Sequence, residues 1–328
     1  FRCDLNVAVF TTLSQDHLDF HQDLEAYWAC KKRLFTEDLI AGQDPETRTA
    51  VINADSHHGR QLIPKLSCPC VAVGHAPENP VHPVEVDMGL KGIGGTVAVP
   101  GGTFRFQSKL AGRHNLENVL CATGAATALN LSPQIIQAGI ESLNTVPGRL
   151  ERVPGPADRP IFVDYAHTPD ALENVLLALK ALKPARLICI FGCGGDRDRT
   201  KRPLMGEISA RFSDLTIVTS DNPRTEQPAA IIADILPGVH ATGGLEYRPE
   251  DIRNGWQDKG YLVEPDRRQA IRMGINASKA GDIVIIAGKG HETYQIIGSQ
   301  TRDFDDRKVA AAALARGKCG TGRNEEAA

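Results

Sequence analysis

The feature that most constrains this chain is an apolar run cut short by glycines. LICIF at 187–191 has the length of a strand, and Gly192, Gly194 and Gly195 end it at once. A helix-length segment follows over 203–212, opening on Pro203, a residue suited to a first helical turn. A second apolar run, 215–219, stops at Ser220-Asp221-Asn222-Pro223-Arg224. Strand, glycine loop, helix and strand make one βαβ unit. Its strands run parallel, and both loops lie at their carboxyl ends, where open α/β sheets bind ligands.

Those two loops carry unusual cargo. The first holds Asp196, Arg197, Asp198, Arg199, Lys201 and Arg202, and the second holds Asp221 and Arg224. Glycines admit close backbone approach to a ligand, and arginine forks grip carboxylates or phosphates through paired hydrogen bonds. Any one of these side chains, taken singly, is the kind that usually just faces water; their clustering at adjacent strand ends favours a binding site. The 328 residues suggest two domains. A net charge of −3 gives no basic field to draw nucleic acid or a membrane, and apolar runs such as 282–287 are too short to span a bilayer. The eight cysteines are scattered without zinc spacing, so reduced thiols in a cytoplasmic protein are expected, as is a monomer.

GCGGDRDRTKRPLM (192–205) and DNPRTE (221–226) resemble the Mur ligase family in its diaminopimelate-adding branch, and the resemblance extends over nearly the whole chain. It implies an α/β protein with a partial central ATP-binding domain over 1–148 and a Rossmann-like, amino-acid-binding C-terminal domain over 149–328. Proline and glycine at 146–160 mark a boundary on their own account. The activity implied is ATP- and Mg²⁺-dependent ligation of meso-diaminopimelate to UDP-MurNAc-L-Ala-D-Glu through an acyl phosphate.

In chain order, 6–12 reads as a strand and 13–21 as a polar loop. His17, among carboxylates there, suits a divalent ion or is a loop histidine satisfied by backbone. Residues 23–40 have helical period, with Leu24, Trp28, Phe35 and Leu39 on one apolar face and Lys31 among them. Such a lysine snorkels, or its amine is neutralised or modified. YWACKKRLF (27–35) is similar to the family segment whose lysine is carbamylated, so the resemblance makes Lys31 a catalytic group and, with His17, a Mg²⁺ ligand. Short strands, a helix at 56–66 and antiparallel β decoration fill 50–110, with Met88 and Phe104 as core.

Asn115 in GRHNLEN (112–118) is a helix cap or a contact to the nucleotide base, the role the resemblance assigns. The same source turns Arg149 towards ATP and Asp164 towards ribose hydroxyls, while His167 is a nucleotide contact or a loop histidine. In the second domain strands are expected at 161–163 and 282–287, helices at 171–182, 229–236, 265–278 and 305–315, and a less regular stretch up to 260. AGKGHE (287–292) lacks the spacing of a phosphate loop and the Ser or Thr after its lysine, which rules out that role. The resemblance instead gives Gly288 and Glu292 to the distal amino-acid centre of diaminopimelate. Asp221, Asn222, Pro223 and Arg224 join them, Arg224 taking the distal carboxylate and Arg197 the other.

Three further readings compete. A nicotinamide oxidoreductase would use Gly192-Cys193-Gly194, but its third fingerprint glycine falls on Arg197. An amino-acid-binding module without turnover, and a lysine-adding relative, stay open. The chain opens at Phe1 without methionine, with a strand already at 6–12, and contains no G-x-x-x-x-G-K-[ST]. A fragment without the family's UDP-binding domain and phosphate loop, inactive by itself, is therefore expected.

Overall fold

The computed structural model describes residues 5–13, 23–42 and 44–317. The chain folds as two units, Phe1–Thr145 and Val146–Ala328.

In the first unit, three short apolar strands, β1 (Val7–Phe10), β2 (Thr49–Asn53) and β3 (Cys70–Val73), form a parallel sheet in the order β1-β2-β3. Three more, β4 (His82–Gly89), β5 (Gly92–Val99) and β6 (Gly102–Ser108), form an antiparallel meander. Helix α1 (Leu24–Arg33) is capped by the Asp23 carboxylate, which accepts the Ala26 N–H at 2.7 Å. It passes directly into a π-helical turn, Leu34–Asp38. Helices α2 (His57–Leu62), α3 (Arg113–Ala128) and α4 (Pro133–Ser142) complete the unit. Leu116 and Leu120 of α3 share a core with Val51, Ile93, Val97, Phe104 and Phe106.

Two expectations fail in this unit. Leu24 is 39% exposed, because α1 buries none of its own residues and the apolar face only closes at Phe35 and Leu39. Met88 is 45% exposed, since β4 pairs on one side only, at the rim of the meander. Trp28 does turn inward, edge-on to Phe10 with centroids 5.5 Å apart.

The second unit is built on a seven-stranded sheet in the order β11-β12-β10-β9-β13-β8-β7. Its strands are β7 (Glu151–Arg152), β8 (Ile161–Asp164), β9 (Leu187–Phe191), β10 (Leu215–Val218), β11 (Leu245–Glu246), β12 (Gly260–Val263) and β13 (Ile283–Ala287). All pairs are parallel except β7 with β8. Every residue of β8, β9, β10 and β13 is buried, as a parallel sheet covered on both faces requires. Alternation along the strands sorts the two faces. Ile188, Ile190, Leu215 and Ile217 share a core with helix α9 (Arg267–Ala277) and helix α10 (Asp306–Gly317). Thr216 turns the other way, to a 2.9 Å hydrogen bond with Ser209 of helix α6 (Lys201–Phe212). Helices α5 (Pro169–Ala181), α7 (Pro228–His240) and α8 (Pro249–Asn254) and a hairpin of β14 (Tyr294–Ile297) and β15 (Gln300–Asp303) complete the unit. Burial pushes the thiols of Cys189 and Cys193 up to about 12, which keeps them inert.

Candidate functional site

The strand order sets β13 between β9 and β8, although β13 comes last in sequence. The loops leaving β10, β9, β13 and β8 therefore stand side by side at one edge of the sheet. Gly195 shows how near they come: a Cβ on it would lie 1.9 Å from the Pro223 carbonyl oxygen. Only glycine fits there, and its N–H donates to the Asn222 carbonyl at 2.9 Å.

Most of the charge read from sequence turns out to brace these loops. Arg202 is fully buried and donates to both oxygens of Glu226 (2.7 and 2.9 Å), to Asp234 (2.8 Å) and to the Gly194 carbonyl (3.2 Å). The Asp196 carboxylate accepts from the Thr225 N–H and hydroxyl. Arg199 pairs with Asp234. Arg197 is different: it is exposed and donates only to the neighbouring Asp196 carbonyl among the described residues, which leaves the rest of its fork for a ligand.

The brace has a pH signature. The Arg202 guanidinium holds the Glu226 carboxyl down at about 2, against its ordinary 4.5. Its stabilisation is complete above pH 4.5 and is lost as pH falls towards 2. Glu226→Gln is expected to be less stable than the parent at neutral pH and to lose less stability across that window. Urea midpoints measured at several pH values check this; parallel acid limbs for the two proteins would refute it.

The second loop is joined to the β14–β15 hairpin. Arg224 adopts φ of 51°, its N–H donates to the Ile296 carbonyl (3.1 Å), and its own carbonyl accepts from Gly298 (2.7 Å). Its guanidinium donates to the Gly195 carbonyl at 2.7 Å through Nη1. Two residues back, the Asn222 Oδ1 accepts from the Ile296 N–H (3.0 Å) while Nδ2 donates to Glu292 Oε2 (2.8 Å). Lys289, fully buried, donates to both Asn222 Oδ1 and Glu292 Oε2 at 3.0 Å, and lies 3.7 Å from Asp221 Oδ1. Beneath them Arg267, also fully buried, forms a fork with Asp306 (2.9 and 2.7 Å) and donates to the carbonyls of Ala287 (2.9 Å) and Ser220 (3.5 Å). Those carbonyls end β13 and sit just past β10, so one side chain ties together the roots of two site loops.

At β8 the Asp164 carboxylate accepts the N–H groups of Leu150 (2.6 Å) and Ala166 (2.7 Å), so it fixes the turn. Tyr165 gathers a ring of partners: Arg149 at 4.8 Å, His167 at 4.6 Å and His291 at 5.2 Å. Burial raises its phenol above the ordinary value, with Glu292 adding to the effect. The 148 and 290 turns are interlocked. A Cβ on Gly148 would meet the His291 nitrogen at 2.0 Å, and one on Gly290 would meet the Gly148 carbonyl oxygen at 2.8 Å. Both glycines have positive φ, 67° and 53°.

In the first unit, Asn115 is 3% exposed. Its amide donates to the Ala111 carbonyl (2.7 Å) and accepts from Asn118 (3.3 Å), while the cap position of α3 falls to Gly112. A base contact there would have to compete with both bonds. Lys31 is half-buried, with its ammonium 4.8 Å over the Tyr27 ring. His17 lies outside the described residues. Among the described residues no three His, Cys, Asp or Glu side chains gather as a metal site, and no helix is long and apolar enough to cross a membrane.

The structure thus brings Asp221, Asn222, Pro223, Arg224, Gly288 and Glu292 together through one hairpin and one buried lysine. Sequence reasoning missed Lys289, Arg267 and Tyr165. The lysine between two glycines at the end of a wholly apolar strand was the available signal for the first.

A family model described as "Mur ligase, glutamate ligase domain" matches residues 148–290, and one described as "Mur ligase middle domain" matches residues 1–126. The UDP-N-acetylmuramoyl-L-alanyl-D-glutamate–2,6-diaminopimelate ligase of Geobacter metallireducens is 50% identical over 95% of this chain and 61% of its own length. The protein of that name from Synechococcus elongatus is 46% identical over 95% of this chain and 59% of its own. The chain thus spans about three fifths of the curated relatives it matches. A solved structure of a UDP-N-acetylmuramoyl-L-alanyl-D-glutamate–2,6-diaminopimelate ligase aligns with 35% identity and a TM-score of 0.60 over 96% of this chain and 61% of its own. A Mycobacterium tuberculosis folylpolyglutamate synthase, at 18% identity, shares the fold with a TM-score of 0.66 over 98% of this chain and 65% of its own.

Proposed function

The chain belongs to the Mur ligase family, and from that premise we propose that the protein joins meso-diaminopimelate to UDP-MurNAc-L-Ala-D-Glu by ATP-dependent amide formation. One observation in the second unit carries this reading. The β14–β15 hairpin holds Arg224 and Asn222 through the same residue, Ile296, and Asn222 holds Glu292. A guanidinium fork and a carboxylate are thereby set on one short path, a pairing that suits a carbon bearing both a carboxylate and an ammonium.

In this scheme Arg224 receives the distal carboxylate of diaminopimelate and Glu292 the distal ammonium. Asp221, Asn222, Pro223 and Gly288 shape that subsite, and Arg197 takes the carboxylate at the other centre. Held at both ends, the substrate presents its remaining amine in one orientation, which is the positioning contribution to the rate. That amine attacks the γ-acyl carbon of the activated D-glutamate; the phosphate departs with the bonding pair and the nitrogen gives up a proton. ATP, when bound, would supply the phosphoryl group that activates the carboxylate, and Mg²⁺ would offset phosphoryl charge. Asn115, Arg149, Asp164 and His167 are proposed for the nucleotide, and Lys31, as a carbamate, with His17 for the metal. Tyr165, with Arg149 and His167 against its faces, supports the nucleotide assignment by offering a ring and a cation together. A cytoplasmic monomer fits the scheme.

The full-length protein, given UDP-MurNAc-L-Ala-D-Glu, ATP, Mg²⁺ and meso-diaminopimelate, is expected to release one phosphate for each amide formed. Binding of the amino acid without amide would favour a binding module. Turnover with L-lysine in preference would point to the lysine-adding relative.

A further inference from the structure

We infer that Lys289 is a positioning residue that sets the charge of the amino-acid subsite so that it takes one ammonium and no more; this rests on the amino-acid-binding role proposed above. Lys289 is completely buried, yet its ammonium sits 3.0 Å from Glu292 and 3.7 Å from Asp221. A buried ammonium is tolerated only when paired and hydrogen-bonded. Here the pairing is lopsided: two carboxylates face one lysine. The cluster keeps a single net negative charge.

The geometry says which carboxylate carries it outward. Glu292 spends one oxygen, Oε2, on Lys289 and Asn222 together. Its Oε1 accepts no hydrogen bond among the described residues, and the side chain is 17% exposed. The Asp221 side chain is less accessible, at 8%. Lys289 therefore stands between the two acids, hydrogen-bonded to Glu292 by one oxygen and 3.7 Å from the deeper Asp221, and leaves the other Glu292 oxygen for a ligand. A second contact strengthens the placement: the ammonium lies 5.6 Å from the Tyr294 ring centroid.

Beside this singly negative cluster stands the Arg224 fork, so the subsite as a whole matches a zwitterionic carbon. Remove the lysine and the balance changes. Two uncompensated carboxylates would favour a cationic side chain, such as that of L-lysine, over a zwitterionic one. They would also repel each other and splay Glu292 away from its position.

The experiment uses the full-length enzyme, with kinetics for meso-diaminopimelate, L-lysine, ATP and the UDP-linked dipeptide. Lys289→Met is expected to raise the KM for meso-diaminopimelate roughly 30-fold or more, to narrow the preference over L-lysine, and to leave the KM for ATP near that of the wild type. The charge-balanced double variant Asp221→Asn/Lys289→Met retains Glu292 as the single acid and is expected to recover part of the lost affinity. If Lys289→Met is insoluble, recovery of a folded, diaminopimelate-binding protein by the double variant supports the inference, and failure of the double variant to bind overturns it. A uniform change in all four KM values, or none, also overturns it. A wild type that does not take up meso-diaminopimelate refutes the underlying functional reading instead.

Discussion

Arg224→Ala in the full-length protein is expected to erase most of the preference for meso-diaminopimelate over L-lysine. The two amino acids differ by one carboxylate, on the carbon that bears the distal amine. Arg224 is held by its backbone, which bonds on both sides to the β14–β15 hairpin, and by one guanidinium bond to the Gly195 carbonyl. That single bond fixes the fork and leaves its other N–H groups for a carboxylate. Losing one partner of a desolvated charge pair costs about 2–5 kcal/mol, a factor of roughly 30 or more in kcat/KM. Sites built to bond a polar group discriminate strongly against an analogue without it. If Arg224 served only to tie its loop to Gly195, both substrates would suffer alike. Competition between the two amino acids, for wild type and variant, decides the matter; an unchanged ratio would sink the assignment.

The largest effect on stability is expected at Asp306. Arg267 begins α9, where a cation opposes the helix dipole, and Asp306 begins α10, where an anion is favoured. Both are wholly buried and form a fork. Asp306→Ala strands a guanidinium in the core, which typically costs about 3–5 kcal/mol. Replacing both partners, as Arg267→Met/Asp306→Leu, removes the stranded charge and should recover much of that loss. Recovery should stay incomplete, because the Ala287 carbonyl loses its 2.9 Å donor, and an unmet buried acceptor costs about 1–3 kcal/mol. Urea unfolding of the 328-residue chain gives all three values. A single variant within about 1 kcal/mol of the parent would show the pair to be dispensable.

What can be read from the residues, and what cannot, follows a physical line. The sheet is legible because glycines stop β9 and β13 abruptly and a turn-rich run follows β10, while proline or an acid stands at the start of most of its helices; β9, β10 and β13 fall where the apolar runs fall. β12 is not, since GYLV at 260–263 follows short elements whose alternation is too brief to register. The charge cluster is visible as a cluster, but sequence counts charges without saying which way they turn. Arg202 and Arg197 stand five residues apart, one in the first turn of α6 and one in the loop before it, yet the first is wholly buried in a brace and the second is exposed. Arg267 and Arg268 are neighbours in sequence. One locks the roots of the site, and the other lies over Phe304 at 5.3 Å. Lys289 escapes notice because its glycine-flanked motif suggests only a phosphate loop, and a poor one. Its importance is a matter of three-dimensional pairing, with Asn222 and Asp221 nearly seventy residues earlier in the chain.

The interlocked turns at Gly148 and Gly290 bear on any attempt to exchange specificity between relatives by transplanting loops. A chimera that imports only the 288–292 segment would bring a turn shaped against one backbone and set it on another. With a foreign 146–150 segment opposite, any side chain in place of either glycine would drive its Cβ into rigid backbone, 2.0 Å from the His291 nitrogen at 148 or 2.8 Å from the Gly148 carbonyl oxygen at 290. The transplantable unit is therefore two short pieces, about 140 residues apart in sequence, that have to be moved as a matched set.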